Sequence, residues 1–400
     1  MPSASYEQER TQIHIKWPDF RATGLYAAPG AVVQVQVEGN PKGSSQFSLV
    51  VGTYDRQEFD LQVGRNAIAI GDAKGMVFVR YTKDSPPFYT APVRLTFGDG
   101  VSKVPHYRLG HTTSAQWLAA LEALSDAPEV MLESRRAMVV YARANALAWK
   151  DQDQDLVLQS IDKVIDAQAA ISGFDTVSEL HRPVAGQMLM VEVPGERMPP
   201  GAGAFATDYF TAFTERTGTL KNAFTPMLVS NGWGTYHELG HTHQQYWTWR
   251  EIVEVNVNIY SLAAQRALRP NNASVINPDK DLERKLRAVE FLGSKDPEKY
   301  FNDRSLGLFP RLYMFRQLWK AYGDAFFIKL HRMVREEKPK FDGAQDRMAY
   351  FARKASRISG NDLSQFFINW GFKLDQAVYD EIRAMKLPPP STEPSTLNID

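Results

Sequence analysis

The residues with the most chemistry in this chain of 400 stand close together: His237-Glu238-Leu239-Gly240-His241, followed by Glu254. On a helix, residues four apart lie about 40° from each other around the axis, so His237 and His241 would project from one face. Two imidazoles so placed can share one tetrahedral Zn²⁺, and H-E-x-x-H is the pattern of a zinc-dependent peptidase. Glu238 is rotated by about 100° from His237, within reach of a metal-bound water without being a ligand. With zinc in place, the pattern predicts that Glu238 accepts that water's proton and later delivers it to the leaving amine.

A catalytic zinc takes three protein ligands and keeps a fourth position for water. Two carboxylates compete for the third place, Glu251 and Glu254, and spacing does not choose between them. The surroundings favour Glu254, because Asn258 lies four residues on along the same helix face, where a polar side chain could orient a ligand histidine. Val255, four residues after Glu251, offers no such support. His243 stands two positions past His241, about 200° around a regular helix, and drops out of the ligand set. His14, His106, His111, His181 and His331 lack motif context and read as surface or packing histidines. Tyr246, Tyr260, Tyr313 and Arg311 are candidate donors to a developing oxyanion. No residue is assigned to a cofactor other than the metal.

Composition narrows the classes. Lys plus Arg and Asp plus Glu both number 46, so no basic field is available for nucleic acid. The apolar runs fall short of the roughly 18 residues of a transmembrane helix, and a monomer is expected. Cysteine is absent, which excludes disulfides, thiolate catalysis and cysteine-held zinc. That suits an exported protein, although the polar stretch 1–11 lacks the apolar core of a signal peptide.

The elements that must position the motif follow from periodicity. Gln12 to Trp17, Ala31 to Val37, Phe47 to Val51, Asn66 to Ile70, Met76 to Tyr81 and Val93 to Phe97 read as short strands, the pattern of a β-sandwich over 1–104. Trp17 and Tyr26 are possible exposed contacts to glycan or polypeptide. Helices are predicted over Thr113 to Leu124 and Asp155 to Ile171, and strands over Met138 to Ala142, Val184 to Val193 and, more briefly, Phe224 to Val229. The turn at Asn231 to Gly234 delivers the chain into a metal-motif helix over about 235–248, with Thr235 as N-cap. The part from about 252 to 385 reads as mainly helical, with helices over Asp281 to Leu292, Leu312 to Tyr322, Ala325 to Glu336, Gln345 to Ile358, Asn361 to Trp370 and Ala377 to Met385. Residues 386–400 are Pro-rich and read as a disordered tail or linker.

Gly232-Trp233-Gly234, the HExxH pentapeptide, Gln244-Gln245, Trp247-Thr248-Trp249 and Glu254 through Leu262 together resemble the enhancin-like metallopeptidases. This family, M-sixty in words, includes viral enhancins and bacterial mucin-degrading peptidases. Thr23 to Gly30 resembles the start of its N-terminal β-domain, and Asp362 to Gly371 a helical segment near its C-terminal end. The resemblance spans most of residues 12 to 388. One departure is Thr242-His243, where the family more often carries Asn first.

The resemblance implies an α+β multidomain chain: a β-sandwich over 1–104, then a gluzincin, thermolysin-like zincin domain over 105–385. It implies His237, His241 and Glu254 as zinc ligands and Glu238 as the catalytic acid/base. It further implies a secreted endopeptidase of mucin-like, O-glycosylated proteins. Two alternatives stand beside it: a glycan-binding adhesion module with a non-catalytic zinc site, using an aromatic surface at Trp233, Trp247 and Trp249, or a general metalloprotease indifferent to glycan.

Overall fold

The computed structural model describes residues 1–88, 91–272, 276 and 278–399. The chain divides into two compact units. One comprises Met1–Glu9, Ile15–Ile165 and Val184–Thr242; the other comprises Arg10–His14, Asp166–Pro183 and the chain from His243 on.

The chain opens with helix α1 (Ala4–Thr11), just before the stretch Gln12 to Trp17 where alternation had suggested a strand. Ser3 caps it by accepting the Tyr6 N–H at 3.3 Å, and Gln12 at φ 58° ends it. The alternating residues that follow make one isolated bridge, Ile13 to Gln245, rather than a strand. Strands β1 (Phe20–Ala27), β2 (Val32–Gly39), β3 (Gln46–Val51), β4 (Gln57–Asp60), β5 (Gly64–Ala69), β6 (Gly75–Thr82), β7 (Val93–Phe97) and β8 (Ser102–Lys103) then form two sheets. Their orders are β4-β3-β6-β1-β8 and β5-β2-β7.

Alternate residues of each strand point to opposite faces, so the two sheets share a core of Val33, Val35 and Val37 against Leu49, Val51 and Val77. The opposite face of the five-stranded sheet is also buried. Phe20, Val50, Met76 and Phe78 pack on Met131, Met138, Val140, Leu189 and Val191. That double cover explains why β3 reads as the unbroken apolar run Leu49-Val50-Val51 while β2 alternates.

The third sheet contains β9 (His106–Arg108), β10 (Glu129–Glu133), β11 (Ala137–Ala142), β12 (Met188–Glu192), β13 (Ala204–Thr207) and β14 (Phe210–Phe213). Its order is β13-β14-β12-β11-β10-β9, mixed in direction, with β13 antiparallel to β14 at one edge. Helix α2 (Ser114–Ala123) begins at a capping box of Thr113 and Gln116. It is followed by α3 (Arg143–Ala148) and α4 (Gln154–Ile171). The strand expected over Phe224 to Val229 is replaced by α5 (Thr219–Phe224) and α6 (Met227–Asn231), separated at Thr225-Pro226. An apolar run too short to show a period had been ambiguous between the two. Helix α7 (Trp233–His241) closes this unit.

The second unit is helical: α8 (Val253–Leu268), α9 (Pro278–Gly293), α10 (Leu308–Tyr322), α11 (Asp324–Glu337), α12 (Ala344–Ser359), α13 (Ser364–Asn369) and α14 (Gln376–Ala384). Its core is aromatic. Trp247 stacks on Phe351 at 5.2 Å between ring centres, and Trp249 meets Phe372 edge-on at 5.9 Å. Both tryptophans have 0% exposure, so they are packing residues and cannot form the aromatic binding surface they had suggested. Trp17, at 2% exposure, is likewise no surface contact.

The Pro-rich end is docked, not free. Gln317 Nε2 on α10 donates to the carbonyls of Ser395 and Leu397 at 2.9 and 3.0 Å. The Ile399 N–H donates to the Tyr313 hydroxyl at 2.8 Å. Composition alone gave linker character to 386–400; the partners lie some seventy or more residues earlier and leave no trace in local sequence. No helix among the described residues is long and apolar enough to cross a membrane.

Candidate metal centre

Helix α7 is built to be anchored at its start. Gly232 precedes it, and a Cβ there would stand 2.1 Å from the Leu228 carbonyl and 2.6 Å from the Tyr236 ring, so only glycine fits. Tyr236 in turn bonds its hydroxyl to the Leu228 carbonyl, tying α7 to α6. The expected start at Thr235 is therefore two residues late. Thr235 sits inside the helix, buried, and the N-cap is Gly232 without a side-chain bond. Tyr236 and Leu239, both at 1% exposure or less, turn one face of α7 to the core. The opposite face carries the two histidines.

His237 is half-buried and His241 is 9% exposed, with ring centres 4.8 Å apart and planes at 88°. Glu238, between them in sequence, is also 9% exposed. The helix ends at the second histidine rather than near 248. The Thr242 hydroxyl donates to the Leu239 carbonyl at 2.7 Å, and Trp17 Nε1 donates to the Thr242 carbonyl at 2.9 Å. His243 thus lies outside the helix, in the second unit, with its ring 6.0 Å from Tyr260 and 6.5 Å from Phe174. What separates His243 from the two histidines is the end of the helix and not a rotation within it.

Within the second unit, the segment after His243 is held by amides. Gln244 Nε2 donates to the Val253 carbonyl at 2.7 Å and to Asn256 Oδ1 at 2.5 Å. Asn256 Nδ2 donates to Thr248 Oγ1 at 2.8 Å, closing the loop onto the first turn of α8. These residues place Glu254, and ligand spacing in the sequence does not reveal them, because amides and hydroxyls have no such spacing to count. Their polarity inside a buried stretch was the available signal, since a buried amide must find partners.

Donor atoms of His237, His241 and Glu254 all lie within 4.8 Å of one another. Glu251, the competing carboxylate, stands on a short 3₁₀ turn (Arg250–Ile252) and is not part of this group. Asn258 Nδ2 donates to the Glu254 and Val255 carbonyls at 2.9 and 3.3 Å, back-bonding within α8. Two imidazoles and a carboxylate are donors that zinc accepts, and three of them leave a fourth place open, so the residues fit the ion.

Several other candidates are engaged elsewhere. The Tyr260 hydroxyl pairs with His331 Nε2 at 2.7 Å, both fully buried. Tyr313 holds the C-terminal segment, and Arg311 donates to the carbonyls of Gly307 and Glu251 at 3.0 and 2.8 Å. His181 bridges Glu336 and Arg335 at 3.1 and 3.0 Å, and His106 faces Glu133 at 3.1 Å. These histidines are structural.

The pattern described as "Peptidase M60, enhancin and enhancin-like" matches residues 100–371, and that of the "N-terminal domain of M60-like peptidases" matches residues 2–84. The chain belongs to the M60 peptidase family. Among curated proteins it is 25% identical over 388 residues to TRPM8 channel-associated factor 3 of Rattus norvegicus, covering 91% of this chain. The chain spans 39% of that relative's length. Among solved structures it is similar to a conserved protein of unknown function from Bacillus anthracis, with a TM-score of 0.84 and 26% identity over 98% of this chain and 79% of that one. It is also similar to the M60 catalytic domain of Clostridium perfringens ZmpC in complex with the sialyl T antigen. There the TM-score is 0.81 at 21% identity, covering 99% of this chain and 80% of that one, a likeness of fold. The layout of a β-rich N-terminal region before a helix-rich M60 part agrees with the α+β expectation.

Proposed function

We propose that this M60 protein is a secreted zinc endopeptidase of gluzincin type that hydrolyses peptide bonds in mucin-like O-glycosylated proteins. The observation that carries the reading is the approach of His237, His241 and Glu254 within 4.8 Å, with Glu238 on the same helix as the histidines. These three residues would hold the ion, and Glu238 is the catalytic acid/base. When bound, zinc supplies Lewis acidity toward a carbonyl and makes water more acidic. Glu238 takes the proton of the attacking water and hands it to the leaving amine, and its near-complete burial keeps bulk water from competing.

Edge strand β13 packs beside α7 and, among the described residues, pairs on one side only, with β14. Its outer row of N–H and C=O groups suits an extended peptide added as a further strand. Within this reading, residues 1–104 are the N-terminal β-sandwich domain, 105–385 carry the peptidase site, and the segment after 385 packs on α10 through Gln317 and Tyr313. The glycan preference rests on the family, including a related domain in complex with a sialylated O-glycan.

Offering matched peptides with and without a mucin-type O-glycan to the wild type and to Glu238→Gln tests the reading. Wild type is expected to cut the glycosylated peptide, and Glu238→Gln to lose on the order of 10²–10⁴ in rate while retaining zinc. Equal cleavage by both proteins would overturn the mechanism. Equal cleavage of both peptides would leave a general metalloprotease. Binding of the glycopeptide with no cleavage at all would point to an adhesion module.

A further inference from the structure

A second site lies in the first unit, outside the HExxH helix. The loop after β3, strand β4, Arg80 of β6 and the two-residue turn Asp208-Tyr209 joining β13 to β14 enclose a cleft of about 400 Å³. Tyr209 adopts φ 77°, a backbone conformation that residues with a Cβ rarely take. The turn is held there by the Tyr209 N–H donating to the Lys16 carbonyl at 2.7 Å and the Lys16 N–H donating to Asp208 Oδ1 at 2.9 Å. The result is an aromatic ring presented to the cleft.

Two guanidinium groups lie against that ring. Arg56 sits 4.4 Å from its centre and Arg80 5.5 Å. Their partners differ. Arg80 is paired with Asp19 at 2.8 Å and with Glu58. Arg56 makes one long bond, Nη1 to the Thr53 carbonyl at 3.4 Å, and no ion pair among the described residues. It is half-buried, and burial, with Arg80 nearby, pulls its pKa down despite the opposing pull of Tyr209, Asp208 and Glu58. A partly desolvated cation beside a second cation, with Asp208 and Glu58 near but in no ion pair with it, has room for a further anionic partner. The guanidinium fork matches a carboxylate in two parallel bonds.

The rest of the lining decides what the carboxylate is attached to. Tyr54, Asp55, Gln57 and Glu58 share the cleft. Asp55 and Glu58 would repel a simple dianion but accept hydrogen bonds from hydroxyl groups. A ligand that carries one carboxylate and several hydroxyls satisfies both halves of the wall. We propose that the Arg56–Tyr209 cleft is a binding site for an acidic sugar residue, its carboxylate on Arg56 and its hydroxyls on Asp55, Gln57 and Glu58.

The inference stands apart from the peptidase reading, so the test measures binding alone. The full chain is titrated by calorimetry and saturation-transfer NMR with N-acetylneuraminic acid, glucuronic acid, glucose and succinate. At least one acidic sugar is expected to bind with a Kd of about 1 mM or tighter, and glucose and succinate at least about tenfold more weakly. Which acidic sugar binds better assigns a sialic or a uronic source. Arg56→Gln should lose about tenfold or more, and Arg56→Lys, which keeps charge without the planar fork, should fall between. Glu238→Gln should bind as wild type does. No binding of either acidic sugar at about 10 mM, undiminished binding in both Arg56 variants, or succinate binding as tightly as the sugars would overturn the proposal.

Discussion

Glu254 is the residue on which the metal site turns, because it is the ligand that the pentapeptide does not supply. Its side chain is exposed, its position in the first turn of α8 is set by the Gln244–Asn256–Thr248 bonds, and its donor atom approaches those of His237 and His241. Glu251, three residues earlier, has a carboxylate oxygen with no hydrogen-bond partner among the described residues, yet lies outside that group. Glu254→Ala is therefore expected to lose zinc by more than the roughly 10–100-fold seen when an outer partner is removed. Glu251→Ala should retain it. Metal content after dialysis against a graded chelator separates the two, and the reverse order would transfer the ligand role to Glu251. The argument from Asn258 reached the same carboxylate by a route that the structure qualifies, since Asn258 Nδ2 bonds back into its own helix.

At the scale of elements, α8 and α11 are joined by a buried pair that the sequence does not advertise. His331 accepts from or donates to Tyr260 at 2.7 Å through Nε2, while Nδ1 faces the Phe327 carbonyl at 2.6 Å. A proton on Nδ1 satisfies the carbonyl and leaves Nε2 to accept the tyrosine hydroxyl, so the neutral ring fits both partners. Burial, with Arg335 second, lowers its pKa from 6.5 to about 3. The folded-state value lies below the unfolded one, so this contribution is complete above about pH 6.5 and lost as pH falls toward 3. Urea unfolding from pH 7.5 to 4 should show wild-type stability falling steeply. His331→Gln should start less stable and fall with a shallower slope. An identical slope in the variant would exclude His331 as the source.

At the scale of the whole molecule, the stacking of sheets in the first unit leaves a mark on pH dependence of the opposite sign. Glu129 begins β10 beside Gly75, with one carboxylate oxygen lacking a hydrogen-bond partner among the described residues. Burial, then Asp55 and Glu192, raises its pKa from 4.5 to about 7. The neutral acid is the form the fold prefers, so its contribution is present below about pH 4.5 and lost as pH rises through 7. Glu129→Gln keeps a neutral side chain and should raise Tm at pH 8 while leaving it nearly unchanged at pH 4. A Tm equal to wild type at both values would show that the carboxylate is not held in that state.

What the sequence determined by itself is local. Four-residue spacing on a helix and the alternation of Val33, Val35 and Val37 are decided by neighbours within a turn or a pleat. Expectations failed where the deciding partner is distant. The Gln12 to Trp17 alternation meets one isolated bridge, Ile13 to Gln245, Trp247 and Trp249 are covered by Phe351 and Phe372, and the Pro-rich end is captured by Gln317 and Tyr313. Which carboxylate nears the histidines, and which arginine beside Tyr209 has no ion pair among the described residues, are likewise tertiary facts. Each depends on groups separated by many residues in the chain, and no local pattern records where such groups meet.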